Sequence, residues 1–143
     1  MKRLNIYNLL LSVIILVSAT LAHAEIAVIV NVSNPVYSLT SNEVLRIFMG
    51  KTNKFPGGSK ATPVNQPLSS PITKKFNKEV CGKNHNSYKS YWSKLIFTGK
   101  GTPPIDGGDN ESIKKLVTSN PDLIAYIDAS ALDDTVKVVF TIP

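Results

Sequence analysis

Past its N-terminal segment the chain alternates between short apolar runs and stretches whose apolar positions recur at helical spacing. Residues 26–32 (IAVIVNV) form a near-continuous, β-branched run, the pattern of a strand covered on both faces. Asn34-Pro35 ends it, because proline has no amide to donate and disfavours helix at the residue before it. Thr40 followed by Glu43 is a capping box, and Val44, Leu45, Phe48 and Met49 continue at helical spacing until Gly50. This predicts a short helix tucked onto the strand. Residues 55–59 (FPGGS) make a turn. A short strand is expected over residues 62–65, with Pro63 restricting it to an edge or a strand start. Ser70 and Pro71 suit the cap and first position of a helix carrying Ile72, Phe76 and Val80, which Gly82 closes.

A further helix is expected from Ser87, with Tyr88, Tyr91, Trp92, Leu95 and Ile96 forming one stripe that would hold most of the aromatic core. Residues 99–108 read as a Gly and Pro loop, after which Asp109 or Asn110 caps a short helix bearing Ile113, Leu116 and Val117. Residues 123–127 and 136–142 finish the chain as strands. Strand, helix, strand, three helices and two strands predict an α/β sandwich, with helices packed on a mixed sheet. The strand order does not follow from the pattern. No internal repeat, low-complexity tract or domain boundary interrupts it.

The N-terminal segment changes how the length of 143 residues is read. Lys2 and Arg3 precede an apolar run over residues 9–21, and Ala22-His23-Ala24 has the small-x-small form of a cleavage site. Residues 1–24 are therefore expected to be a signal peptide, with Glu25 opening a single mature domain over residues 25–143. A retained membrane anchor is the alternative, but the run falls short of the roughly 20 residues a span needs. The only cysteine is Cys81, so no lipid-modified N-terminus is available. A periplasmic or secreted protein, without stable membrane insertion after cleavage, is the expectation. One cysteine also excludes disulfide frameworks and multi-cysteine zinc sites.

The inventory offers little for catalysis. His85, the one histidine of the mature chain, lies in a polar turn without a neighbouring nucleophile or ligand set. The acid pairs Asp133-Asp134 and Asp106 with Asp109 lack the spacing of a calcium loop or a glycosidase. Cys81, at the apolar end of a helix, reads as a small buried hydrophobe. No enzyme, cofactor or metal is expected. Charge says more. Residues 46–100 carry eleven basic residues and one acid, Glu79, whereas the residues after them carry three lysines and seven acids. Lysines coating helix faces explain part of this, and a field steering an anion toward helix N-termini explains it equally. Nucleic acid fits poorly, because the aromatic residues that would stack bases fall on a core stripe.

Within that basic segment, residues 65–73 (NQPLSSPIT) combine a strand end, a turn and a helix start, where unpaired amides and the helix dipole favour an anion. Ser69 and Ser70 add hydroxyl donors and Gln66 an amide. Ser70 is also accounted for by capping alone, and Pro71 removes one amide.

At these residues a resemblance emerges. Asn34-Pro35-Val36, Ser38-Leu39-Thr40 and the run from Glu43 to Lys51 (EVLRIFMGK) resemble phosphate-binding proteins of phosphate ABC transporters. Pro63-Val64-Asn65-Gln66, Tyr91-Trp92 and Phe97-Thr98-Gly99-Lys100-Gly101 are similar to the short, single-lobe members of that group. The resemblance implies a single lobe of a type II periplasmic binding protein. It also implies weak binding of phosphate or a related oxyanion at Gln66, Ser69 and Ser70. Full-length relatives present an Arg and a Gly-Ser-Gly-Thr helix start to phosphate. Here Gln66 stands at the Arg position, and of the helix start only Ser70 is kept, so a bidentate, permanently charged clamp is absent. A second lobe, which closes over the anion and excludes water, would have to come from a partner or a homodimer. The alternative is a protein-interaction or sensor-accessory domain without a ligand.

Overall fold

The first strand, β1 (Ile26–Asn31), is buried at every position, as its unbroken apolar run requires. It lies between β4 (Leu123–Asp128) and β5 (Val136–Ile142), antiparallel to both. β2 (Thr62–Asn65) pairs parallel with β4 on one side and with β3 (Ile105–Asp106) on the other. The five-stranded mixed sheet therefore has the order β3-β2-β4-β1-β5. The computed structural model describes residues 24–143. The expected leader, apart from its last residue, lies outside the described residues.

Both faces of the sheet are covered. Val28 and Val30 of β1 join Ile124 and Tyr126 of β4 in a cluster with α1 (Ser41–Phe48), α2 (Pro71–Glu79) and α3 (His85–Phe97). The alternate residues Ala27, Ile29, Ala125 and Ile127 face α4 (Asn110–Ser119), through Ile113 and Val117. Side chains on a strand alternate between faces, so a two-sided core needs apolar residues at consecutive positions. The architecture is α/β, with helices packed on a mixed sheet.

Local signals hold where they were strong. Thr40 and Glu43 form the capping box of α1, Ser70 caps α2 with Pro71 at its first position, and Asp109 caps α4. Other expectations are corrected. α3 starts at His85, not Ser87, because the Asn84 side chain caps it, accepting from the Ser87 amide at 2.9 Å. Its stripe is buried only at Tyr88 and Trp92, while Ile96 is 55% exposed. The centre of the aromatic core is instead drawn from three elements. Phe76 stacks on Tyr126 at 4.0 Å between centroids, and Phe48 meets Phe76 edge-on at 4.7 Å. β3 forms inside the expected loop. β2 lies in the sheet interior, yet Pro63 stands where β3 does not reach, since β3 pairs only with Val64 and Asn65. Gly107, just after β3, admits close packing: a Cβ there would lie 2.5 Å from both Ile113 Cδ1 and Val64 Cγ1. Among the described residues no helix is long and apolar enough to cross a membrane.

Candidate functional site

Parallel pairing brings the carboxyl ends of β2, β3 and β4 to one edge of the sheet. From that edge β2 passes through residues 66–70 into α2, and β3 passes through two glycines into α4. Two helix N-termini, each a partial positive charge with unpaired amides, thus flank the same edge. In open α/β sheets this edge is where ligands bind.

A buried polar network fastens it. Asn65 donates from Nδ2 to the Tyr88 hydroxyl at 2.8 Å, and the Tyr126 hydroxyl lies 3.1 Å from both Asn65 Oδ1 and Thr73 Oγ1. The Thr73 and Ser70 hydroxyls are 2.8 Å apart, and Ser70 donates to the Pro67 carbonyl at 2.8 Å. With the Ser70 proton committed to Pro67, Thr73 is the donor to Ser70, and Tyr126 donates onward to Thr73 or Asn65. Burial raises the Tyr126 and Tyr88 phenols above their ordinary range, so both stay protonated, Tyr126 as a donor and Tyr88 as the acceptor from Asn65.

The expected site residues occupy different environments. Gln66 is 5% exposed, and its Nε2 donates to Asn110 Oδ1 at 2.7 Å and to the Tyr126 carbonyl at 3.2 Å. Asn110 Oδ1 also accepts the Asp128 amide at 3.1 Å, so one oxygen ties together the ends of β2 and β4 and the start of α4. Ser70 is half-buried in its cap, and Ser69 is exposed. Among the described residues no acceptor takes the amide protons of Leu68, Ser69 or Ile72. Beside this turn a cavity of about 340 Å³ opens against α3, walled by Asn65, Gln66, Leu68, Tyr88, Trp92 and the 103–104 prolines. Gln66 contributes to its wall; Ser69 and Ser70 do not.

Thr73, Asn110 and Tyr126 were not singled out by sequence reasoning as site residues. Asn110 was legible only as a possible cap, and Tyr126 sits in an apolar strand whose pattern gives no hint of a hydroxyl at the sheet edge. Elsewhere, Cys81 is buried, its thiol pushed up to about 12 by desolvation against the opposing pull of Lys83. His85 is exposed at the first turn of α3. Among the described residues no three His, Cys, Asp or Glu side chains cluster as metal ligands.

This architecture is similar to that of solved phosphate-binding proteins. A Clostridium perfringens protein, described as a phosphate ABC transporter substrate-binding protein with bound phosphate, matches 81% of this chain with a TM-score of 0.64 and 27% identity. An ABC-type phosphate transport receptor from Vibrio cholerae matches the same share at a TM-score of 0.56 and 22% identity. PstS from Borrelia burgdorferi does so at 0.60 and 14%. The chain spans 45%, 46% and 47% of these three chains respectively. The fold is that of a single lobe of a phosphate ABC transporter substrate-binding protein, consistent with a short member of that family. No protein-family model matches the chain, nor does any curated protein sequence.

Proposed function

We propose that the chain is an exported, non-enzymatic binding lobe that holds phosphate or a related oxyanion weakly at the start of α2, with Gln66, Ser69 and Ser70 around it. The observation that carries this reading is the convergence of strand ends and two helix N-termini on one edge, in a fold shared with a protein whose structure contains phosphate. The donors are the amides of Ser69 and Ile72 and the Ser69 hydroxyl. Gln66 and Ser70 hold the turn in shape, their own protons being engaged internally. The lysine-rich segment steers the anion toward the edge.

The affinity is low by construction. Two or three charge-assisted hydrogen bonds contribute about 1.5–3 kcal/mol each, against at least about 4 kcal/mol of association cost. The net is about 5 kcal/mol at most, a dissociation constant of about 0.2 mM at best and in the millimolar range or weaker for fewer or weaker bonds. Tighter binding requires a second protein surface, from a partner or another copy, to exclude water. Calorimetric titration of residues 25–143 with phosphate and sulfate tests the reading. Saturable heat in the millimolar range is expected, and its absence below about 10 mM in folded protein overturns it.

A second reading, a lobe kept for protein interaction after losing its ligand, is favoured by one observation. Both Nε2 protons of Gln66, where the resemblance implies an arginine clamp, are spent inside the fold.

A further inference from the structure

The turn that carries the expected donors is held in shape from outside. Within residues 66–70 one backbone bond closes it, from the Ser70 amide to the Pro67 carbonyl at 2.9 Å, and among the described residues the Leu68 and Ser69 amides have no acceptor. Pro67 fixes its own φ but leaves Leu68 and Ser69 without a local restraint. A single oxygen from another element reaches both ends of this segment. The Tyr126 hydroxyl, on β4, lies 3.1 Å from Asn65 Oδ1 and 3.4 Å from the Gln66 amide before the turn, and 3.1 Å from Thr73 Oγ1 after it. That oxygen is itself fixed. Tyr126 is fully buried, its ring stacked on Phe76 at 4.0 Å between centroids and tilted against Phe48 at 5.8 Å.

The protons available set the direction of this tie. Asn65 Oδ1, the Tyr126, Thr73 and Ser70 hydroxyls and the Pro67 carbonyl form a row of five oxygens with four short gaps, and the hydroxyls supply three protons. The Ser70 proton goes to Pro67 and the Thr73 proton to Ser70, so the Tyr126 proton is the one shared between Asn65 and Thr73. Phenylalanine at position 126 would keep the stack on Phe76 without burying a hydroxyl, so packing alone does not require tyrosine. We propose that Tyr126 and Thr73 are positioning residues for oxyanion binding. Their hydroxyls hold the backbone of residues 66–72 in the shape that presents the Ser69 and Ile72 amides, and neither touches the anion, both residues being fully buried. This role rests on the oxyanion reading and supplies the source of the site's preorganisation. A turn that orders only on binding loses affinity to its own ordering, and one tied beforehand does not.

Phosphate and sulfate titrations followed by the backbone amide NMR signals of Ser69 and Ile72 test this. In the parent both signals should move together on one millimolar curve. Tyr126→Phe should weaken phosphate and sulfate alike, by about fivefold, because a lost restraint acts on every anion whereas a lost contact would change their ratio. Thr73→Val, nearly isosteric, should do the same, and Thr73→Ser, which keeps the hydroxyl, should retain the parent affinity. Val117→Ala truncates the core toward the far end of α4, away from the hydroxyl row, and should lower the melting temperature without changing affinity. A parent in which neither anion moves either signal overturns the oxyanion reading, and this role with it. Where the parent binds, unchanged affinity in Thr73→Val or in folded Tyr126→Phe overturns the positioning role alone. An equal loss in Val117→Ala, an equal loss in Thr73→Ser, or an altered ratio of phosphate to sulfate affinity overturns it too. Should Tyr126→Phe fail to fold, the two Thr73 variants decide.

Discussion

Ser70→Ala separates the structural role of this hydroxyl from any role in binding. The hydroxyl donates to the Pro67 carbonyl at 2.8 Å, lies 2.8 Å from Thr73 Oγ1, and accepts the Thr73 amide at a long 3.4 Å. Loss of the cap alone costs about 1 kcal/mol. Thr73 is fully buried, so removing its acceptor also strands a hydroxyl proton, a penalty of about 1–3 kcal/mol. The total expected is about 2 kcal/mol, since the cap bond is long and Pro67 retains the Ser70 amide as a donor. For a domain of this size that lowers the melting temperature by about 8 °C. Urea unfolding followed by Trp92 fluorescence measures it, with an unchanged m-value as the check that only stability moved. Ser69→Ala, at an exposed position, should stay within about 0.5 kcal/mol of the parent and reduce phosphate affinity. A Ser70→Ala loss below about 0.5 kcal/mol would refute the network as drawn. A fall in phosphate affinity confined to Ser70→Ala would refute the assignment of donors.

Three other substitutions or pH scans test separate parts of the molecule. The Cys81 thiol, held at about 12 by burial, should resist iodoacetamide at pH 8 in the native state and react once urea unfolds the chain. Because the folded pKa lies above the unfolded one, stability from the neutral thiol is full below about 8.5 and declines as pH rises toward 12, which urea titrations across that range would detect. Asp133 is held at about 2 by hydrogen bonds from Lys114 and then Thr135, so its stabilisation is present above the ordinary carboxylate range and lost as pH falls from about 4 through 2. Asp133→Asn should flatten that acid limb, and superimposable limbs would show that the pair with Lys114 contributes nothing. Gly107→Ala should destabilise by about 1–3 kcal/mol through its collision with Ile113 and Val64, read by thermal melting.

Signals carried by adjacent residues were legible in the sequence. The Thr40 and Glu43 capping box, the Ser70-Pro71 helix start and the limits of β5 each depend on neighbours along the chain, and each stands as expected. What failed depends on neighbours in space. β3 is two residues long, exists because Val64 and Asn65 offer it a partner, and carries no periodicity of its own. The α3 stripe continues at helical spacing past the point where the core ends, so Ile96 is at the rim although its spacing matches that of Trp92. At the candidate site, the sequence placed Gln66, Ser69 and Ser70 on one turn. Nothing in it showed that Asn110 from α4 and Tyr126 from β4 meet there and decide which donors remain.

Donor count at position 66 controls what this edge can do. A glutamine amide has two protons, and both are consumed by Asn110 Oδ1 and the Tyr126 carbonyl. An arginine there would bring five N–H groups to the same two acceptors, leaving protons and a full charge for a ligand. With glutamine, the side chain ties β2 to β4 and α4 instead, and an anion must rely on amides at the head of α2 and on the Ser69 hydroxyl. Those groups face water, where each hydrogen bond replaces one to solvent at small net gain. The surrounding lysines speed arrival more than they slow departure, because exposed charges act mainly on encounter and are screened by salt. A lobe built this way exchanges its anion rapidly, and retention depends on whatever surface closes over the edge.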